Sequence, residues 1–361
     1  MTQTTPASPA RTGGLAGVPL PLSPLTRKDF TSDQEVRWCP GCGDYAVLAA
    51  FQGLMPKLDI ARENTVIISG IGCSSRFPYY VDSYGMHSIH GRAPAIATGL
   101  ATSRPDLAVW VVTGDGDALS IGGNHLIHAL RRNVNITIML FNNRIYGLTK
   151  GQYSPTSEPG KVTKSTPLGS LDTPFNPISL ALGAEASFVA RTIDSNRAHL
   201  SEVLTAAIAH RGASLVEIYQ NCPIFNDDAF ADLKSSAGEI IGLRDGEPIV
   251  FGAGGSQAVV RDGSGLAIRP TAEVDAADIV VHDAHAADPS QAFAISRLTD
   301  AGHMHRAPIG IFRDVERPTY DDEVRSQVTY APRSEERASI QALINGRDTW
   351  TIEPINGKQV R

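Results

Sequence analysis

Two polar side chains follow two strand-like segments and together have the chemistry of a metal site. Asp115 comes directly after the apolar segment Ala108–Val112 and its glycine turn. Asn143 follows a second apolar segment, Ile136–Phe141. A helical pattern over Leu119–Arg131 lies between them, so the segment predicts a strand–helix–strand unit of a parallel sheet. Because parallel neighbours end at the same edge, we expect both side chains where open α/β sheets bind ligands.

A carboxylate, a side-chain amide and a backbone carbonyl at one edge suit a hard divalent cation. The carbonyl is predicted to be that of Ile145, two residues after Asn143. Mg²⁺ fits this set because it prefers oxygen ligands and commonly keeps phosphate oxygens among them. The helix after Gly116 would offer free N–H groups to a diphosphate. The alternative to a metal site is that Gly-Asp-Gly and Asn-Asn are turns that only connect elements. The two motifs are separated by one helical crossover, and this spacing favours a metal–diphosphate site.

The four cysteines form a second group with possible chemistry. Cys39 and Cys42 lie in the sequence Cys-Pro-Gly-Cys-Gly, whereas Cys73 and Cys222 each follow a strand-like segment. Those strand ends could converge on the edge that carries Asp115. Free cysteines are often small buried residues, and a Cys-x-x-Cys pair can be redox-active. Four thiolates accept an iron–sulfur cluster or structural zinc, and the residues alone leave these two open.

The composition limits the possible function classes. The chain has 361 residues, 42% hydrophobic and 19% charged, as in a globular protein with one large or two ordinary domains. A net charge of −6 provides no basic surface, so no nucleic-acid partner is expected. No apolar stretch is long enough to span a bilayer, and the first residues contain no signal-peptide pattern. We therefore expect a cytoplasmic protein with reduced thiols.

Longer motifs connect the chain to a known family. Gly-Asp-Gly, a helix, a strand and Asn-Asn together resemble the thiamine diphosphate motif of thiamine-dependent enzymes. The sequences Ile145–Gln152 and Trp38–Gly43 narrow the resemblance. The chain is similar to the β subunit of 2-oxoacid:ferredoxin oxidoreductases, most of all to the 2-oxoglutarate type, over roughly Arg37–Asp228. The resemblance implies an α/β fold with a doubly wound, mostly parallel sheet of the thiamine diphosphate-binding type.

Three parts of the chain are expected. Residues 1–25 are predicted to be a disordered lead-in, because they are rich in Pro, Thr, Ala and Gly. Residues 26–230 form the thiamine diphosphate- and Mg-binding domain that carries the cysteines, and 231–361 form a C-terminal extension that covers the core or contacts a partner. The segment Tyr153–Pro177 lacks periodicity and predicts either a functional lid or a disordered loop.

The resemblance also implies the cofactors and the residues that hold them. The Mg²⁺ ligands would be Asp115, Asn143 and the carbonyl of Ile145. One 4Fe–4S cluster would be held by Cys39, Cys42, Cys73 and Cys222. The remaining contacts to thiamine diphosphate are predicted at Ile71, Gly72, Cys73, Ser74, His90, Gly116, Asp117, Gly147 and Leu148.

Two cations are candidates for binding the substrate. Arg76 and Lys150 are predicted to contact the substrate carboxylates, because cations near a cofactor can hold an anion and Arg can do so bidentately. The alternative for both is solvated surface charge, since Lys and Arg are mostly exposed.

The implied reaction is oxidative decarboxylation of 2-oxoglutarate with coenzyme A to succinyl-CoA and CO₂, with electrons passing through the cluster to ferredoxin. Thiamine enzymes generally need a glutamate on a second domain, and this chain has one thiamine-type half. An α subunit and an α₂β₂ assembly are therefore implied. The alternatives are pyruvate or branched-chain 2-oxoacids as substrates, or a non-catalytic zinc-binding module. An acetolactate-synthase-like carboligase is disfavoured by the cysteines and by the chain length.

Overall fold

The structure is a computed structural model that describes residues 11–235, 240–263, 265–330 and 340–350. Among these residues, none of the helices is both long and apolar enough to cross a membrane.

Most of the strands form one mixed sheet. The strands are β1 Thr65–Ser69, β2 Tyr84–His87, β3 Ala108–Gly114, β4 Ile136–Asn142, β5 Phe188–Ile193, β6 Ala213–Tyr219, β7 Ile240–Gly242, β8 Val250–Phe251, β9 Gln257–Asp262, β10 Gly265–Pro270 and β11 Ala307–Asp314. Eight of them form a sheet in the order β2-β1-β3-β4-β6-β5-β11-β7, and β8, β9 and β10 form a separate antiparallel sheet. Every pair in the large sheet is parallel except β5 with β11.

Helices cover both faces of this sheet. The helices of the described residues are α1 Asp44–Leu54, α2 Phe77–Tyr80, α3 Ala93–Ser103, α4 Asp115–Leu119, α5 Gly123–Arg132, α6 Pro177–Gly183, α7 Arg197–Ala209, α8 Ala231–Ser235, α9 Ser290–Ser296, α10 Tyr320–Tyr330 and α11 Ile340–Asn345. Helices α3, α5 and α6 pack on one face, where Val111 of β3 is buried. Helices α1 and α7 pack on the other face with Trp110. Successive residues of β3 thus point to opposite cores, which is why its sequence is continuously apolar.

The central strand–helix–strand unit forms with one difference from the prediction. β3 and β4 are parallel neighbours, and Gly114 of β3 lies opposite Phe141 of β4. The single predicted helix is instead two, α4 and α5, separated at 120–122. The break follows from Gly122, whose N–H donates to the carbonyl of Asp117 at 3.1 Å. A Cβ at Gly122 would lie 2.3 Å from that oxygen, so the chain can turn this tightly only at glycine.

The parts of the chain outside the central unit differ more from the sequence analysis. Val18, within the predicted disordered lead-in, is buried, and the Gly14 carbonyl accepts a hydrogen bond of 2.9 Å from Asn135 Nδ2. Part of the segment 11–25 therefore packs against the core, which corrects the prediction of disorder for those residues. Residues 1–10 lie outside the described residues.

The predicted C-terminal extension also contributes to the sheet. Its strand β11 pairs with β5, and β7 pairs with β11, so the sheet continues past β5 instead of ending there. The chain divides into two compact units, Met1–Glu323 and Val324–Arg361. The boundary therefore lies well after residue 230, because β7 and β11 belong to the main sheet. Helix α11 lies in the second unit.

A buried ion pair crosses the centre of the sheet. Arg191 on β5 and Glu217 on β6 have side chains that are 0% exposed, and Arg191 Nε lies 2.7 Å from Glu217 Oε2. Glu217 Oε1 accepts a hydrogen bond of 2.7 Å from Asn142 Nδ2 at the end of β4. Arg191 Nη1 donates to Thr299 Oγ1 at 2.9 Å. The pair therefore links three strands to the segment before β11, and both charges keep hydrogen-bond partners in the core.

Removing the arginine should destabilise the fold. In Arg191→Met the carboxylate of Glu217 stays buried without its cation, which costs about 3–5 kcal/mol of the free energy of unfolding. Urea unfolding followed by circular dichroism measures this. The control is Arg104→Met, because Arg104 and Asp106 form an exposed pair, at 55% and 38%. That substitution should leave the free energy of unfolding nearly unchanged, because exposed ion pairs contribute little to stability. Equal effects of the two substitutions would contradict the account.

Candidate functional site

One cavity at the carboxyl edge of the sheet gathers the residues predicted to hold the thiamine cofactor and its metal. Its volume is about 90 Å³. Its walls come from the turn after β1, the start of α4 and the segment after β4. The predicted residues that line this cofactor cavity are Ile71, Gly72, Cys73, Ser74, His90, Asp115, Gly116, Asp117, Asn143, Ile145, Gly147 and Leu148. The structure thus brings this predicted set together, while the role of each residue toward a ligand stays a prediction.

The predicted metal ligands Asp115 and Asn143 follow the ends of the neighbouring strands β3 and β4. Asp115 begins α4 one residue after β3, and its side chain is only 2% exposed. Burial raises the pKa of Asp115 to about 6, although hydrogen bonds from Ser154 and Thr156 act in the opposite direction. Asn143 Oδ1 accepts a hydrogen bond of 3.2 Å from the N–H of Ile145. The resulting set of carboxylate, amide and carbonyl oxygens has the chemistry that Mg²⁺ requires.

Two hydroxyl groups that the sequence analysis did not single out contact Asp115. Ser154 Oγ donates to Asp115 Oδ2 at 2.6 Å, and Thr156 Oγ1 donates to the same oxygen at 2.5 Å. Both belong to the loop predicted as a lid or a disordered segment, and both are buried. No pattern in the sequence distinguishes them from other loop hydroxyls, since Ser and Thr are common in loops.

The carboxylate of Asp117 accepts hydrogen bonds from several other segments of the chain. Its Oδ1 accepts hydrogen bonds from the N–H of Ile71 at 3.1 Å and of Gly91 at 2.7 Å. The same oxygen lies 2.6 Å from His90 Nδ1. Oδ2 accepts a hydrogen bond of 2.7 Å from Thr113 Oγ1. Asp117 therefore joins the turn after β1 to the turn that carries His90, and so shapes two walls of the cofactor cavity.

Gly116 permits a close contact within the cofactor cavity. A Cβ at this position would lie 2.1 Å from Cε1 of Tyr146. The Tyr146 hydroxyl donates to the Gly116 carbonyl at 3.0 Å, so the ring is held against the backbone. The middle residue of Asp-Gly-Asp is thus glycine because an aromatic ring occupies the space of a side chain.

The four cysteines line a second, adjoining cavity of about 240 Å³, formed around Cys39, Cys42, Cys73 and Cys222. All four are free. A Cβ at Gly147 would lie 3.5 Å from Cys73 Sγ and 3.7 Å from Cys222 Sγ, so these sulfurs approach the same backbone. Across the described residues, no three His, Cys, Asp or Glu side chains converge closely enough to hold a single metal ion. The four sulfurs line the walls of one shared space, and the group that they would hold stays a prediction.

Burial raises the pKa of two of the thiols that line the cysteine cavity. Burial is the main cause that raises the pKa of Cys73 to about 12, and burial also raises the pKa of Cys42 strongly. Binding of a cationic metal group at these sulfurs must therefore displace protons. Gln220 Nε2 donates to Cys42 Sγ at 3.2 Å, and Trp38 Nε1 donates to the Cys73 carbonyl at 2.7 Å. Neither contact is predictable from the sequence, because each joins segments that are distant in the chain.

Arg76 and Lys150, the substrate candidates, lie beside the cofactor cavity. Both line the cysteine cavity. Arg76 also lines a neighbouring groove of about 430 Å³ with Arg37 and His87. Its Nη1 donates to the Arg37 carbonyl at 3.3 Å, and Lys150 is exposed. The role of both cations toward a substrate stays a prediction.

Comparison with known proteins identifies the family. Residues 70–218 match the family described as thiamine pyrophosphate enzyme, C-terminal TPP binding domain. The chain is 65% identical over 342 residues to the 2-oxoglutarate oxidoreductase subunit KorB of Mycobacterium tuberculosis, and the alignment covers 94% of this chain and 91% of that protein. The chain belongs to the β subunits of the 2-oxoacid:ferredoxin oxidoreductases, of the 2-oxoglutarate type.

Further relatives agree with this assignment. This chain is 43% identical over 208 residues to the 2-oxoglutarate synthase subunit KorB of Archaeoglobus fulgidus. The alignment covers 58% of this chain and 78% of that protein. A solved structure of 2-oxoglutarate:ferredoxin oxidoreductase from Magnetococcus marinus superposes with a TM-score of 0.70 at 33% identity, covering 90% of this chain and 97% of that one. The predicted family, fold class and enzyme assignment are confirmed, and the β subunit carries a thiamine diphosphate-binding domain.

The contact between Gly116 and Tyr146 leads to a test of the cofactor cavity. Gly116→Ala should weaken thiamine diphosphate binding about 5- to 150-fold, because the added methyl displaces the Tyr146 ring at a cost of about 1–3 kcal/mol. Titration calorimetry in the presence of Mg²⁺ measures the affinity. Gly123→Ala is the matched control, since a Cβ there meets nothing within 4 Å. The double variant Gly116→Ala/Tyr146→Ala should recover part of the affinity. Unchanged binding by Gly116→Ala would contradict this reading of the cavity.

Proposed function

We propose that the β subunit takes part in thiamine diphosphate-dependent oxidative decarboxylation of 2-oxoglutarate to succinyl-CoA and CO₂, with coenzyme A as acyl acceptor and ferredoxin as electron acceptor. The observation that carries the proposal is the wall shared by the cofactor cavity and the cysteine cavity. Cys73, Asn143, Gly147 and Leu148 line both cavities. The Magnetococcus marinus enzyme supports the choice of ligands, because its structure has 2-oxoglutarate, coenzyme A and succinyl-CoA bound.

The oxygen ligands at the sheet edge would hold the diphosphate through Mg²⁺. Asp115, Asn143 and the carbonyl of Ile145 are the proposed ligands, and they supply one negative charge and neutral oxygens to the ion. The bound coenzyme supplies an electron sink for the carbon that loses CO₂. Asp117 keeps the turn at Ile71 and the turn at His90 in place, because its carboxylate accepts N–H donors from Ile71 and Gly91.

The cysteines would hold one 4Fe–4S cluster. Such a cluster supplies a one-electron acceptor next to the coenzyme. Cys222 is buried and Cys39 is exposed, so the four sulfurs extend from the interior to the surface. The exposed side at Cys39 is the proposed approach for ferredoxin. The N–H···S hydrogen bond from Gln220 to Cys42 would support negative charge on that sulfur.

Arg76 and Lys150 are the proposed partners of the substrate carboxylates. The substrate 2-oxoglutarate carries two carboxylates, whereas pyruvate carries one, so an additional cation beside the cofactor cavity favours the longer diacid. Guanidinium groups bind carboxylates bidentately, which suits Arg76 for this role. Residues 70–218 match the C-terminal TPP binding domain of thiamine enzymes, and the relatives are named as one subunit of an oxidoreductase, so we propose that catalysis requires the α subunit in an α₂β₂ assembly.

A substrate panel tests this function. The chain is purified anaerobically with its α subunit and assayed with coenzyme A and a viologen dye. We expect kcat/KM for 2-oxoglutarate to exceed that for pyruvate and branched-chain 2-oxoacids at least about tenfold. Arg76→Met should raise KM for 2-oxoglutarate about tenfold, which corresponds to about 1.4 kcal/mol of lost binding.

The controls for this panel separate the substrate from the assembly. Arg104→Met removes an exposed cation that pairs with Asp106 and should leave both constants unchanged. The chain without its α subunit should oxidise no 2-oxoacid. Equal rates with pyruvate would contradict the proposed substrate, and activity of the isolated chain would contradict the required partner.

A further inference from the structure

Two hydroxyl groups of the loop after β4 donate hydrogen bonds to Asp115, the predicted metal ligand. Ser154 Oγ and Thr156 Oγ1 donate to Asp115 at 2.6 Å and 2.5 Å, and both use the same oxygen, Oδ2. All three side chains are buried, between 1% and 3% exposed. The two hydroxyls therefore fix the rotamer of Asp115 through Oδ2.

The single proton of the Thr156 hydroxyl goes to Asp115. Thr156 Oγ1 also lies 2.9 Å from Asn142 Oδ1, but one hydroxyl can donate to only one of the two strongly. Asn142 Oδ1 already accepts the N–H of Arg144 at 3.1 Å. The carboxylate contact is shorter and charge-assisted, so it takes the proton.

The hydroxyls are themselves held by the backbone around the segment after β4. Ser154 N–H donates to Ser157 Oγ at 2.8 Å, and Ser157 Oγ donates to the Arg144 carbonyl at 2.6 Å. Arg144 Nε donates back to the Thr156 carbonyl at 3.0 Å. This turn is therefore fixed on the same segment that carries Asn143 and Ile145, and it keeps Asp115 aligned with both.

We propose that Thr156, together with Ser154, is a positioning residue for the divalent cation bound through Asp115. This inference rests on the metal site of the proposed function. A carboxylate whose second oxygen is occupied by two fixed donors binds a cation through one oxygen in one orientation. Removing hydrogen-bond partners of this kind from a metal ligand typically weakens metal binding 10–100-fold.

The inference is tested on the complex with the α subunit, using Mn²⁺ in place of Mg²⁺ and excess thiamine diphosphate. The electron paramagnetic resonance signal of free Mn²⁺ gives the affinity without an activity assay. Thr156→Val, which keeps the shape and removes the hydroxyl, should weaken Mn²⁺ binding about 10–100-fold. Thr156→Ser should bind as the wild-type protein does. Thr173→Val, exposed in the same loop, is the matched control and should change nothing.

The outcomes separate this inference from the proposed function. If wild-type protein binds Mn²⁺ and Asp115→Asn abolishes binding, but Thr156→Val binds normally, the positioning role is wrong and the metal site stands. Equal weakening by Thr156→Val and Thr156→Ser would assign the effect to packing and would also overturn the role. If Asp115→Asn binds normally, the metal site itself is wrong. Should Thr156→Val fail to fold, Ser154→Ala replaces it, with the same expected direction.

Discussion

The register of β3 against β4 is the constraint on which the candidate site depends. Gly114 lies opposite Phe141, so Asp115 and Asn142-Asn143 leave the sheet side by side. A shift of the pairing by one residue would turn the alternating side chains of β3 to the opposite cores, so the two apolar faces around Val111 and Trp110 fix it. Packing in the two apolar cores thus fixes where Asp115 and Asn143 lie at the end of the sheet.

The second constraint is that buried carboxylates need hydrogen-bond donors, and loop residues supply most of them. Asp115, Asp117 and Glu217 are all buried carboxylates, and each one accepts hydrogen bonds from segments distant in sequence. Because an unpaired buried carboxylate is costly, these bonds hold the loops at the sheet edge in place. The polar groups that shape the cofactor cavity are therefore also the groups that order its walls. Asn142 connects the hydrogen bonds around Asp115 with the buried Arg191–Glu217 pair, since it contacts both Thr156 and Glu217.

Periodicity and glycine turns predict the strand–helix–strand unit. The family motifs predict most of the residues that line the cofactor cavity, but not Tyr146. The convergence of Cys222 with Cys73 followed from their positions after strands. Contacts between distant segments were not predictable, because a hydroxyl such as Thr156 has no local pattern. The same reason explains the packing of part of the segment 11–25 and the entry of β7 and β11 into the main sheet. The break between α4 and α5 depends on one backbone contact at Gly122.

The central claim is that one chain holds a divalent cation at the sheet edge directly beside an iron–sulfur cluster. Anomalous X-ray diffraction from crystals of the anaerobic complex with the α subunit, thiamine diphosphate and Mn²⁺ tests it most directly. The account predicts a manganese peak between Asp115 and Asn143 and an iron peak enclosed by Cys39, Cys42, Cys73 and Cys222. A zinc edge signal among the cysteines, or a manganese peak away from Asp115, would contradict it.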